Sequence, residues 1–215
     1  MGCEIVLNCE SDSIQFLTKR DKRLAKVISE IGDIAYTTHS DSYHFLVGQV
    51  INQMLSNKAA DVIHSRLVRL CNGNLTTESI SLLSDLEIRA VGISQSKIGY
   101  IRAITQAVAN GQLNFSTFQE KSDAEVIKEL TGIRGIGKWT AKMYLIFVLD
   151  RPDVLPFEDV AFQQSYKWLY KTEDVSRVAI ENKCKKWKPY SSIASRYLYR
   201  ALDEGLTKRE FHLFK

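Results

Sequence analysis

The 215-residue sequence is short of several things at once. It holds three prolines and no low-complexity run, which excludes collagen-like and Pro-rich disordered chains. Its four cysteines, Cys3, Cys9, Cys71 and Cys184, lie too far apart for a CxxC zinc clip or a clustered iron–sulfur ligand set, so they read as reduced thiols. No stretch runs long enough without charge to span a bilayer. The N-terminal MGCEIVLNCESD lacks a basic segment followed by an apolar one, and Val6 stands where a myristoylation motif after Gly2 needs Ser or Thr. These absences lead to the expectation of a soluble intracellular protein with no membrane partner. Neither sign of charge dominates: 29 Lys and Arg against 25 Asp and Glu give a net charge of +4. That balance is compatible with a polyanionic partner without identifying one.

Apolar residues make up 45% of the chain and charged residues 25%, enough for one substantial core or two small lobes. Apolar positions recur at helical spacing through most of the sequence. From Asp21, Leu24, Val27, Ile28 and Ile31 form one stripe with Gly32 as its stop. SDSYHFLVGQVINQM places Phe45, Leu46, Ile51 and Met54 on another, with cap candidates at Ser40 to Ser42. Two helices then meet around Leu55, Ser56 and Asn57. Further helices end at Gly92 and Gly111, and Ser122 with Glu125 fits a capping box that opens another. Strand patterns are hard to find, so the reading is all-α.

Two stretches interrupt the helices. In LTGIRGIGKWTAK, residues 130–142, three glycines fall within six residues, Gly132, Gly135 and Gly137. A helix, a tight I-x-G-I-G hairpin and a second helix would leave the backbone unobstructed at Gly135 and Gly137. Their N–H groups and the positive end of the second helix suit a phosphate oxygen, although a plain helix-turn-helix with glycine caps reads the same way. In RPDVLPFED, residues 151–159, Pro152 and Pro156 suit no helix interior and shape a loop that delivers Glu158 and Asp159 to a helix start. An isolated aspartate there would be a helix cap by default.

The two stretches together resemble the helix-hairpin-helix DNA glycosylases that carry a Gly/Pro-rich loop and an aspartate, and most closely their alkylpurine branch, the 3-methyladenine DNA glycosylase II type. FLVGQVINQMLSNKAADVI, IRAVGISQSKIGYIRAI and KKWKPYSSIASRYLYRAL extend the likeness over residues 40–202. The resemblance implies two helical lobes flanking a cleft, residues 41–150 with the hairpin and residues 1–40 plus 151–215 with the aspartate. It makes Asp159 catalytic and Glu158 a spectator. Bifunctional relatives carry a Schiff-base lysine where this chain has Trp139, so a monofunctional hydrolase that leaves an abasic site is implied, with Lys138 and Lys142 directed elsewhere.

The resemblance also places an apolar wedge at Leu55, with Ser56 beside it in the minor groove, against the alternative of a buried core leucine. Trp139 and Tyr190 would line the base pocket, because electron-rich ring faces attract a cationic purine, while Trp187 reads as core. Gly135, Gly137 and Lys138 would hold DNA phosphates. The carbonyls of Thr131, Ile133 and Ile136 would take a structural Na⁺ or K⁺ when DNA is bound, with no cofactor required for the reaction. The expected partner is damaged double-stranded DNA, met by a monomer that is cytoplasmic if bacterial or archaeal and nuclear if eukaryotic.

A positively charged leaving base such as 3-methyladenine or 7-methylguanine needs no strong general acid. Asp159 alone can therefore stabilise an oxocarbenium-like sugar, orient the incoming water, or do both. Lys97 and Lys183, Lys185, Lys186 and Lys188 are further candidates for phosphate contact, and the last four equally a solvated helix end. Arg134 replaces the hairpin proline of many relatives, and Gln163 and Gln164 stand where arginines are usual. Two rival readings remain: a non-catalytic helix-hairpin-helix DNA-binding module, and a glycosylase for another damaged or mismatched base.

Overall fold

The computed structural model describes residues 4–212; Gly2 and Cys3 lie outside them. In chain order the elements are β1 (Glu4–Leu7), α1 (Asp12–Arg20), α2 (Lys22–Ile31), β2 (Ile34–Thr37), α3 (Ser42–Asn52), α4 (Asn57–Leu70), α5 (Thr77–Leu82) and α6 (Asp85–Ala90). There follow α7 (Gln95–Ala109), α8 (Asp123–Thr131), α9 (Lys138–Phe147), α10 (Val160–Tyr170), α11 (Arg177–Cys184) and α12 (Ser191–Asp203). The chain divides into two compact units, Met1–Thr38 with Asp150–Lys215, and His39–Leu149.

Helix boundaries follow local capping chemistry. Asp41 accepts the His44 amide at 2.8 Å to open α3. Ser122 and Glu125 form the reciprocal capping box that opens α8, satisfying two donors that a helix start otherwise leaves orphaned. Gly32, at φ 74°, ends α2.

Three features depart from the sequence reading. The chain is mostly helical, but β1 and β2 form a two-stranded antiparallel sheet, with Glu4 opposite Thr37 and Leu7 opposite Ile34; strands of four residues are too short for alternation to show. Helix α1 precedes the first helix expected at Asp21, and its apolar side buries only Ile14 and Leu17 beside Ser13, too thin a stripe to register. Helix α3 stops at Asn52, so Met54 leaves the predicted stripe: it takes φ 58° and is fully exposed.

In the first unit, Leu17, Leu24, Val27, Phe162, Tyr166, Leu169, Trp187, Tyr197 and Leu198 form the core. A buried carboxylate sits within it. Asp21 caps α2 through the Arg23 and Leu24 amides and also accepts from the Tyr170 hydroxyl, the Trp187 indole at 2.9 Å and Lys186 at 3.0 Å. Burial alone would raise its titration, but these donors outweigh it and hold Asp21 below the usual carboxylate range. Trp187 is thus core, as expected, and Lys186 is engaged in an ion pair.

In the second unit α3 packs on α4, α7 and α9, and α8 packs on α9. Leu46, Val50, Ile98, Ile101, Leu130 and Leu145 are buried there. Tyr144 of α9 gathers Phe45, Phe115 and Phe118 at centroid distances of 5.7–6.1 Å. Aromatic edges and faces meeting at such distances add directional packing to area burial, and they fix α9 and the hairpin in front of it.

Candidate active site

The hairpin joining α8 to α9 is built as its glycines suggest. Gly135 adopts φ 96°, a conformation that L side chains rarely take. A Cβ there would lie 2.3 Å from the Cγ of Tyr100, so the ring of Tyr100, on α7, occupies the space that a side chain would need. Gly137 is the N-cap of α9 and no side chain caps that helix. Gly137 and Lys138 are exposed, Trp139 is half-buried, and Thr140 behind them is buried. The start of α9 therefore combines a helix N-terminus that no side chain caps with an exposed lysine, a combination suited to an anion.

The turn between α3 and α4 belongs to the same unit and is tied to the hairpin. The Gln53 side-chain amide donates to the Gly135 carbonyl at 3.0 Å. Leu55 is 39% exposed, which removes the core-leucine alternative. Ser56 caps α4, accepting from the Ala59 amide at 3.4 Å. The most protruding side chain of the turn is Met54, which sequence reasoning assigned to the core stripe. Lys97 is not a free surface cation: its Nζ donates to the carbonyls of Ile51 at 3.0 Å and Gln53 at 2.7 Å, and burial lowers its titration.

In the other unit, the Pro-containing loop is clamped to one face of α12. Ser191 donates through its hydroxyl to Asp153. The Val154 amide donates to the Ser192 hydroxyl at 2.9 Å, and the Ser192 amide donates to the Pro152 carbonyl at 2.9 Å. Arg196 pairs with Asp150 at 2.9 Å and lies over the Tyr36 ring at 3.7 Å, while Tyr36 donates to Asp150 at 3.1 Å. These residues share a face of α12 because positions i, i+1 and i+5 fall within one arc of a 3.6-residue helix.

The loop ends at Asp159, which is buried and accepts the Phe162 amide at 2.7 Å as N-cap of α10. Tyr199, one turn beyond Arg196 on α12, has a buried hydroxyl. Burial first, then the negative charge of Asp159, push Tyr199 well above the ordinary phenol range. Glu158 is half-buried and Val160 exposed. Gln163 donates back to the Phe157 carbonyl at 2.8 Å, fastening the loop from the α10 side.

Tyr190 immediately precedes α12, half-buried, with its ring edge-on to Phe16 at 5.4 Å. Lys183 lies over the Tyr170 ring. The structure thus brings Leu55 and Ser56 together with Gly135 in one unit, which also carries Thr131, Ile133, Ile136, Gly137, Lys138 and Trp139, and puts Asp159 and Tyr190 in the other.

Sequence reasoning missed Gln53, Met54, Tyr100, Arg196 and Tyr199. For Tyr199 a signal existed, since it continues the polar face begun by Ser191, Ser192 and Arg196. The hairpin Ile133 carbonyl already accepts the Ile136 amide at 3.1 Å, and a carbonyl oxygen has a second lone pair. Neutral carbonyls of this kind fit a monovalent cation. Among the described residues no cluster of three or more His, Cys, Asp or Glu side chains could hold a metal.

The chain is similar to known proteins over most of its length. The profile of the HhH-GPD superfamily of base excision DNA repair proteins matches residues 47–189. DNA-3-methyladenine glycosylase 1 of Schizosaccharomyces pombe is 31% identical over 183 residues, 83% of this chain and 80% of its own length. The crystal structure of a DNA-3-methyladenine glycosidase from Bacillus halodurans superposes with a TM-score of 0.84 at 33% identity, covering 97% of both chains. A Schizosaccharomyces pombe 3-methyladenine DNA glycosylase in complex with abasic DNA superposes with a TM-score of 0.83 at 28% identity, over 90% of this chain and 97% of that one.

Proposed function

The chain belongs to the HhH-GPD superfamily of base excision DNA repair proteins, and from that premise we propose that it hydrolyses the N-glycosidic bond of alkylated purines in duplex DNA. The observation that carries the reading is Asp159, a buried carboxylate oriented by the Phe162 amide at the end of a loop clamped to α12. A residue needed only to cap α10 would not require that loop.

The damaged nucleotide leaves the duplex, which costs roughly a few kcal/mol of unstacking, and the apolar tip of the 53–56 turn, Leu55 with Met54, fills the space, with Ser56 beside it. Gly135, Gly137 and Lys138 grip the flanking phosphate. Trp139 and Tyr190 offer ring faces to the cationic base. As the bond from C1′ to the base breaks, its electron pair goes to the base, which departs neutral. The carboxylate of Asp159 stabilises the positive charge left on the sugar and orients the water that adds at C1′.

Water's addition releases a proton and leaves an abasic site. Trp139 offers no amine for a Schiff base, so the strand stays intact. Thr131, Ile133 and Ile136 would hold Na⁺ or K⁺ through backbone carbonyls, its contribution being to anchor DNA phosphate rather than to react. A monomer suffices for these steps.

The test is chromatography of bases freed from methylated duplex DNA, with strand breaks scored before and after alkali. Release of 3-methyladenine and 7-methylguanine with breaks only after alkali is expected. Breaks before alkali would overturn the hydrolytic, lyase-free reading, and duplex binding without base release would favour the non-catalytic module.

A further inference from the structure

The turn between α3 and α4 is held by two side chains that the chemistry above does not use. At the end of α3 the last carbonyls lack intrahelical partners. Lys97, in the first turn of α7, supplies them: its Nζ donates to Ile51 at 3.0 Å and to Gln53 at 2.7 Å. A cation at a helix C-terminus also complements the macrodipole. Gln53 then sends its own side chain the other way, to the Gly135 carbonyl at 3.0 Å.

Between these anchors and the Ser56 cap of α4, the backbone passes through the left-handed region at Met54, φ 58°. That conformation is unfavourable for a non-glycine residue, so the turn would relax without its restraints. The result is an apolar tip, Met54 fully exposed and Leu55 partly so, mounted on the backbone that forms the phosphate hairpin.

We infer that Gln53 and Lys97 are positioning residues that pre-organise the 53–56 turn against the hairpin, so that gripping the phosphate at Gly135 to Lys138 sets the register of the apolar tip in the duplex. The inference rests on the reading that this turn fills the gap left by an extruded nucleotide. A preordered tip enters the base stack without the ordering cost that a flexible loop would incur at that step. Gln53 and Lys97 therefore favour the extruded state of a paired lesion and contribute little when no stack has to be opened.

Single-turnover excision of 7-methylguanine should be compared in two duplexes, one with the lesion opposite cytosine and one with it opposite an abasic-site analogue. For Gln53→Met and Lys97→Met, excision is expected to fall roughly 10- to 100-fold on the paired lesion, with the unpaired lesion processed within about twofold of wild type. Lys97→Arg keeps a cation over the α3 carbonyls and is expected to recover most of the paired-lesion rate. Thermal melting of each variant separates misfolding from mispositioning, and Gln53→Met, which alters one half-buried hydrogen bond, decides the matter if Lys97→Met does not fold. Equal losses on both duplexes, or no loss on the paired one, would overturn the inference while leaving the excision activity in place. A wild-type protein inactive on both duplexes would instead overturn the proposed function, and this inference with it.

Discussion

Gly135 is the position where a single residue type is most tightly imposed. Its φ of 96° and the Tyr100 ring 2.3 Å from any added Cβ act together. Gly135→Ala should cost about 1–3 kcal/mol of stability and weaken duplex binding, read by thermal melting and by anisotropy titration. An alanine variant with unchanged melting and affinity would show that the hairpin tolerates a different backbone. The glycine itself was legible in the sequence, since a Gly-rich break between two helices has few physical readings, but Tyr100 was not. It lies 35 positions earlier on another helix, and nothing local marks an aromatic that packs against a glycine. The delivery of Asp159 to a helix start was likewise legible from its Pro-bounded loop, whereas its catalytic role was implied only by the family resemblance. Met54 was misread because a methionine at helical spacing looks like core until the helix is seen to stop at Asn52.

At the scale of elements, α3 and α4 are joined by an imidazole pair as well as by their turn. The Nε2 atoms of His44 and His64 lie 2.9 Å apart, so one carries the proton that the other accepts. Burial first, and then the proximity of His44, push the His64 titration down, with Asp61 opposing. The folded protein then binds fewer protons than the unfolded chain below the ordinary histidine value of about 6.5. Stability is complete above that value and declines as pH falls below it. The melting temperature should therefore drop as pH falls below about 6.5, and His64→Gln should flatten that drop; an unaltered slope would remove the pair as its cause. Helix starts such as the Ser122 and Glu125 box were readable because both partners lie within one turn. The clamp of α12 on the loop was not, because Ser192 and Val154 are 38 residues apart and only the fold makes them neighbours.

For the whole molecule, a charge of +4 gives duplex affinity a salt dependence but no specificity. Lys138→Ala should reduce the slope of log affinity against log salt by about 1 and weaken damaged and undamaged duplexes alike, measured by titration at several salt concentrations. A lesion-selective loss would instead place Lys138 at the base. In the proposed mechanism Asp159 acts on the sugar and does not merely cap α10. Asparagine caps a helix about as well as aspartate, so Asp159→Asn keeps the Phe162 hydrogen bond and removes the charge. In a single-turnover assay on methylated duplex DNA, with binding to an abasic-site duplex measured alongside, the variant should bind nearly as wild type and excise about 10²–10³-fold more slowly. Excision at the wild-type rate by a protein carrying asparagine at this position would reduce Asp159 to a helix cap and contradict the mechanism.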